Sequence, residues 1–147
     1  WRLREGLVLA QRNEGGSIKH DVSVPVAAIA DFIAEASAAV TARLPGIRPV
    51  PFGHVGDGNV HFNLSQPEGA DRGDFPARWG EFNRIVHDDV ARYGGWIRAE
   101  HGVGRLRRHE LAHYKTPVEL ELIRKIKAAL DPEARMNPGK VLPDATP

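Results

Sequence analysis

The sequence predicts an α+β fold: a β-α-β-β-α-β unit preceded by one helix and followed by C-terminal helices. Three observations carry this. Apolar and β-branched residues alternate over 18–26, 47–55 and 59–65, the period of a half-buried strand. Apolar residues recur at helical spacing over 29–44 and 79–93. Proline and glycine punctuate the joints between these runs.

In order, residues 1–16, "WRLREGLVLAQRNEGG", read as a helix ended by Gly15-Gly16. "IKHDVSVPV" (18–26) reads as a strand, and Pro25 suits the first turn of the next helix, where its missing N–H costs nothing. Ile29, Phe32, Ile33, Ala36, Val40 and Leu44 form that helix's apolar stripe, stopped by Pro45-Gly46. "IRPVPFGHV" and "NVHFNLS" read as two strands joined by Asp57-Gly58. Trp79, Phe82, Val86, Val90 and Tyr93 mark a second amphipathic helix, closed by Gly94-Gly95, and "WIRAE" (96–100) reads as a short strand. This is the ferredoxin-like arrangement, with strand order 4-1-3-2. A short helix over roughly 104–114 follows. Another begins at Thr116-Pro117-Val118-Glu119, a capping box with proline at the first helical position. Its stripe is Leu120, Ile123, Ile126 and Leu130; Asp131-Pro132 stops it, and "MNPGKVLP" is expected to be extended.

The 147 residues carry a net charge of +1, so no broad field favours nucleic acid or an anionic membrane. With no cysteine, disulfides and thiolate metal sites are excluded, and the composition suits a reducing compartment. No apolar run approaches transmembrane length and no secretory leader is visible. The abrupt start at Trp1 suggests a C-terminal piece of a longer protein.

Chemistry concentrates in "GHVGDGNVH" (53–61). A two-residue type I′ turn at Asp57-Gly58 would pair His54 directly with His61, with Cβ atoms roughly 4.5–5.5 Å apart. Asn63 would point the same way. Two imidazoles and a carboxamide on one face suit a divalent metal, although paired histidines also occur on polar sheet faces without one. "GDGN" lacks the Lys-Ser/Thr and helix start of a phosphate loop. "RAEHGVG" (98–104) offers Glu100 and His101 as further candidates. They lie on an edge strand, and in extended chain they face opposite ways, so parity does not bring Glu100 to the histidines. Gly102 and Gly104, near a helix start, are expected to offer backbone N–H groups to a nearby anion.

"HELAH" (109–113) matches H-E-x-x-H, in which His109 and His113 would hold zinc and Glu110 would act as general base. The flanking "RLRRHE" and "YKTP" read as a solvated surface helix, and no metzincin continuation follows. Elsewhere, His20, His87 and His113 read as solvated, Arg105, Arg107 and Arg108 as an exposed helix face, and Trp79 and Trp96 as core. Lys19 before Asp21 admits a plain ion pair, and Arg4 ordinary surface charge.

"KHDVSVP", "GHVGDGNVHFNL", "AEHGVGRLRR" and "KTPVELELIRKIKAALDPEARMNPGKVL" together resemble the C-terminal region of FAD-linked oxidases of the D-2-hydroxyacid dehydrogenase type (D-lactate dehydrogenase, glycolate oxidase flavin subunit, D-2-hydroxyglutarate dehydrogenase). The four motifs stand in family order and span nearly the whole chain. The resemblance implies that residues 17–101 are one ferredoxin-like half of a substrate domain, that 102–147 are its C-terminal helices and tail, and that the FAD-binding domain lies outside this chain. It implies metal ligands at His54, His61 and Glu100 for zinc or iron, and a general base at His101. It further implies substrate contacts at Arg4, Lys19 and Asn63, and a cofactor contact at Asn137. The implied activity is oxidation of a small 2-hydroxyacid to a 2-oxoacid, with hydride transfer to FAD bound mainly by the missing domain. An electron-transfer protein, quinone or cytochrome would reoxidise the flavin. A homodimer, and a cytoplasmic or peripheral inner-membrane location, complete the expectation. A hydroxyl residue that helps bind a distal carboxylate would fall at Val8, which speaks against a dicarboxylic substrate. The chain alone is expected to be inactive. A zinc hydrolase using "HELAH" or the hairpin, and a non-catalytic ligand-binding domain, stand as alternatives.

Overall fold

The computed structural model describes residues 1–71 and 73–142, without the side chains of Val8 and Arg12. The chain divides into two compact units, residues 1–100 and 101–147.

In the first unit, helix α1 (Arg2–Ala10) runs into a 3-10 turn that ends at Gly15, whose φ of 101° glycine alone tolerates well. Strands β1 (Ser17–Ile18) and β2 (Asp21–Ser23) follow, then helix α2 (Ile29–Arg43). Strands β3 (Arg48–His54) and β4 (Asn59–Ser65) come next, then the short helix α3 (Asp74–Ala77) and α4 (Trp79–Arg92). β4 is central: β1 and β2 pair with it along one edge and β3 along the other, all antiparallel. Trp96 bridges Ser23 on the far side of β2. With β1 and β2 together as the first predicted strand, β3 as the second, β4 as the third and the Trp96 bridge as the remnant of the fourth, the predicted neighbours are kept.

The sheet has two faces. Ile18, Val22, Val60, Phe62 and Leu64 turn inward with α2 residues Phe32, Ala36 and Val40 and α4 residues Phe82, Val86 and Val90. Phe32 and Phe62 meet with ring centroids 5.6 Å apart. The alternate positions, Asp21, His61, Asn63, Asn59, Phe52 and His54, share the opposite face, as period two requires.

Several expectations are corrected in this unit. The strand expected over 18–26 is two short pieces. At the break the His20 ring bonds the Phe62 carbonyl through Nδ1 at 2.7 Å, and His20 and His87 are buried, not solvated, with rings 5.6 Å apart. The strand expected over 96–100 shrinks to the single Trp96 bridge. The chain bends there, and the Ala99 N–H goes to the Asp21 carbonyl. Trp79 is exposed and Trp96 half-buried, so neither is core.

The hairpin turn also differs. Val55–Asp57 form a 3-10 turn and only Gly58 enters the left-handed region, at φ 80°. A type I′ turn needs positive φ at both central residues. Asp57 instead accepts the Asn59 N–H at 3.0 Å through its side chain, and Gly58 fits so closely under Val24 that a Cβ would overlap the Val24 carbonyl oxygen.

The second unit holds α5 (Arg108–Tyr114) and α6 (Pro117–Leu130). The predicted capping box forms: Thr116 Oγ1 accepts the Glu119 N–H and Glu119 accepts the Thr116 N–H. Past α6, the Asp131 carboxylate accepts the N–H groups of Arg135 and Met136, each at 2.9 Å. The tail is looped rather than extended, with Asn137 and Val141 in the left-handed region and the Val141 N–H bonded to the Gly104 carbonyl. Arg107 is buried rather than part of an exposed face. No helix among the described residues is long and apolar enough to cross a membrane.

Candidate metal and substrate site

The polar face of the sheet gathers three of the predicted residues. His61 sits at mid-strand on β4, flanked by Asp21 on β2 and Phe52 on β3. His54 ends β3 opposite Asn59, not opposite His61. The four-residue connection moves each partner by two positions, which keeps both histidines on one face as diagonal neighbours with ring centroids 6.3 Å apart. Glu100 reaches both: its Oε1 lies 3.1 Å from His54 Nδ1 and 3.9 Å from His61 Nε2.

The bend after Trp96 explains how Glu100 arrives. Had the antiparallel pairing continued from the Ser23–Trp96 bridge, Glu100 would have run on to a place beside Lys19. Instead the Glu100 N–H donates to Asp21 Oδ2 at 2.9 Å, which holds it level with His61. Asp21 Oδ1 accepts from Asn59 Nδ2 at 2.9 Å and lies 3.7 Å from His61 Nδ1. Burial lowers the Arg98 pKa, and the Asp21 charge opposes that fall. A cleft of about 260 Å³ lined by Ser23, Asp57, Asn59, Trp96, Ala99 and Glu100 opens beside these groups.

The donor types suit a divalent cation, but His54, His61 and Glu100 do not form a group whose ligand atoms all lie within 4.8 Å of one another. Two imidazoles face one carboxylate oxygen, and 3.1 Å between two donors is close to the spacing of adjacent ligands around zinc with bonds of roughly 2.0–2.2 Å. His54 and Glu100 are about two-fifths exposed, which leaves a path for an ion. Asn59 Oδ1 is a buried acceptor with no hydrogen bond among the described residues, and an acceptor of that kind is costly unless a cation or water meets it.

The predicted substrate residues distribute around this centre. The Arg4 guanidinium on α1 stacks over Phe52 at 4.9 Å, and Phe52 in turn packs on His61 at 5.2 Å. Asn63 is buried and donates to Gln11 Oε1 at 2.8 Å. Arg4 Nε and Gln11 Nε2 are buried donors with no acceptor among the described residues. The β1–β4 and β2–β4 registers place exposed Lys19 opposite Asn63. His101 follows Glu100 in the chain and opens the second unit. Asn137, also in the second unit, is exposed beside a groove of about 350 Å³ lined by Ile123, Ile126, Leu130 and Met136. The side chain of Val8 lies outside the described residues. His109 and His113 are exposed on a seven-residue helix and join no cluster of three metal-ligating side chains among the described residues.

Sequence reasoning missed Asp21, Asn59 and Gln11 as parts of this face. The signal for Asp21 and Asn59 was the parity they share with His61; Gln11 carried none, since it reaches Asn63 from outside the sheet.

The family model for FAD linked oxidases, C-terminal domain, matches residues 1–141. The chain is 38% identical over 141 residues to a D-2-hydroxyglutarate dehydrogenase of Stutzerimonas stutzeri (strain A1501), covering 96% of this chain and 30% of that protein. It is 35% identical over 144 residues to the mitochondrial D-2-hydroxyglutarate dehydrogenase of Arabidopsis thaliana, covering 97% and 24%. It is 32% identical over 143 residues to that of Rattus norvegicus, covering 97% and 25%. The chain thus spans 24–30% of the length of these relatives, while the match takes in nearly all of its own residues, and it belongs to the family of FAD linked oxidases, C-terminal domain.

Proposed function

We propose that this chain is the substrate- and metal-binding part of a flavin-dependent D-2-hydroxyacid dehydrogenase, which oxidises a 2-hydroxyacid to the 2-oxoacid. The observation that carries the reading is the approach of His54 Nδ1 and His61 Nε2 to one oxygen of Glu100. Zinc or iron, when bound, would polarise the substrate hydroxyl as a Lewis acid, and FAD, held mainly outside this chain, would accept the hydride.

In this reading His54, His61 and Glu100 hold the cation. Arg4, braced on Phe52, pairs with the substrate carboxylate through its guanidinium fork. Gln11 fixes the Asn63 carboxamide, so that Asn63 meets the substrate in one orientation. Lys19 adds positive charge at the rim. His101 takes the hydroxyl proton on a ring nitrogen, a task suited to imidazole near neutral pH. The curated relatives are named for D-2-hydroxyglutarate, whereas Val8 brings no hydroxyl for a distal carboxylate; the reading therefore commits to a 2-hydroxyacid and leaves the dicarboxylate to the assay. Electrons leave the flavin to an electron-transfer protein, quinone or cytochrome, in a cytoplasmic or peripheral membrane setting, and a homodimer is the proposed assembly.

The test uses the full-length protein with bound FAD and an artificial electron acceptor. Turnover of D-2-hydroxyacids, lost in His54→Ala and in His101→Ala, supports the reading. A flavin-replete protein that oxidises no 2-hydroxyacid overturns it.

A further inference from the structure

We propose that Asp21 is a positioning residue of this site, one that orients His61 and Glu100 together without itself acting as a ligand. The inference rests on the proposed metal-binding reading and assigns a residue which that reading does not use.

The Asp21 side chain is only 7% exposed and faces two of the three proposed ligands. Its Oδ2 accepts the Glu100 N–H, and its main-chain carbonyl accepts the neighbouring Ala99 N–H at 3.0 Å. The bend that turns Glu100 toward the histidines is therefore tied to this one residue at two points. Its Oδ1 stands on the Nδ1 side of His61, 3.7 Å away. That gap exceeds a direct hydrogen bond, but a neutral imidazole carries one N–H, and a buried anion beside Nδ1 draws it there. Nε2, the nitrogen that faces Glu100, then keeps its lone pair, which is the form a cation needs. Asn59 holds Oδ1 in place through Nδ2, and Arg98 supplies an opposite charge.

Asp21→Asn separates charge from shape. The asparagine oxygen still accepts the Glu100 N–H. Its amide can donate to Asn59 Oδ1, the buried acceptor left without a hydrogen bond, once the Asn59 carboxamide turns over.

Zinc alone is titrated into metal-stripped full-length protein against a competing chelator, with the melting temperature of the stripped protein recorded. Asp21→Asn is expected to bind zinc about 10–100-fold more weakly with its metal-free melting temperature close to wild type. Asp21→Glu, which keeps the charge, is expected to recover part of the affinity. If His54→Ala and His61→Ala bind zinc as wild type does, the metal-binding reading itself fails. If they lose zinc while Asp21→Asn retains wild-type affinity, the ligand set stands and the role of Asp21 is overturned. A loss in Asp21→Asn as deep as in His54→Ala makes Asp21 a ligand and overturns it too. Should the Asp21 variants fail to fold, histidine-labelled wild-type protein decides by NMR. The metal-free His61 resonance, assigned by its absence in His61→Gln, is expected as the Nδ1–H tautomer, and an Nε2–H tautomer overturns the proposal.

Discussion

His54 stands diagonal to His61 across the β3–β4 ladder, with Asn59 opposite one and Phe52 opposite the other. Each imidazole thus meets Glu100 from its own direction, His54 through Nδ1 and His61 through Nε2. No pair among the three makes the third redundant. In the full-length protein, His54→Ala, His61→Ala and Glu100→Ala are each expected to lower zinc affinity by at least about 10-fold, measured by chelator competition. Wild-type affinity in His54→Ala would remove the hairpin from the metal site.

The hairpin loop gives a second prediction. Gly58 has φ 80° and lies directly under the Val24 carbonyl, whereas a Cβ on Gly56 meets nothing within 4 Å and its φ is not positive. Gly58→Ala is expected to destabilise the protein by more than about 1 kcal/mol through the left-handed backbone alone, with the overlap adding to it. Gly56→Ala is expected to be neutral or slightly stabilising, because it restricts the unfolded chain. Denaturant titration of the two variants checks this; equal effects would mean a different turn.

Much of this architecture was legible in the residues because local rules agreed with the packing. Phe32, Ala36 and Val40 at helical spacing, and Val60, Phe62 and Leu64 at period two, bury as their patterns require. The shared face of His54 and His61 survives although the turn is not type I′, since a shift of two leaves parity intact. What parity cannot carry is a side chain crossing strands. Glu100 reaches the histidines through a bend tied to Asp21, and nothing in "WIRAE" encodes that bend. The burial of His20 and His87 was equally illegible. Histidine is polar by type, and it enters this core partly because a backbone carbonyl, that of Phe62, meets the His20 ring.

The two faces of the sheet should respond differently to truncation. Phe62 is fully buried against Phe32, so Phe62→Ala is expected to cost about 3–5 kcal/mol. His54 is two-fifths exposed at a strand end, and His54→Ala in metal-free protein is expected to change stability by less than about 0.5 kcal/mol. Unfolding transitions of both variants test whether the polar face serves binding rather than folding.

"HELAH" offers a negative test. With His109 and His113 exposed on a seven-residue helix, Glu110→Gln is expected to leave both zinc content and 2-hydroxyacid turnover of the full-length protein unchanged. Loss of a peptidase activity in that variant would revive the hydrolase reading.

The start of α6 makes a pH-dependent prediction. Glu119 closes the capping box with Thr116 and also accepts from Lys115 Nζ at 2.7 Å. The Lys115 bond, then those from Thr116, hold the Glu119 carboxyl at about 2, below its ordinary 4.5. Because the folded value is the depressed one, the stabilisation is fully present above 4.5. It fades as pH falls through about 2, where the folded carboxylate takes up its proton. Glu119→Gln is therefore expected to be less stable than wild type at pH 7, and the gap should narrow progressively between pH 4.5 and 2. The group is exposed, so added salt should shrink the part due to Lys115. Thr116→Ala removes the acceptor of the Glu119 N–H and also the hydroxyl that donates to the Glu119 carboxylate at 3.0 Å, so it is expected to cost about 1 kcal/mol at pH 7 and somewhat less near pH 2, keeping the part due to the N–H bond. Thermal melts across pH 2–7 for the three proteins separate the two contributions. A Glu119→Gln gap that stays constant with pH would mean that the carboxylate charge does not contribute to the cap.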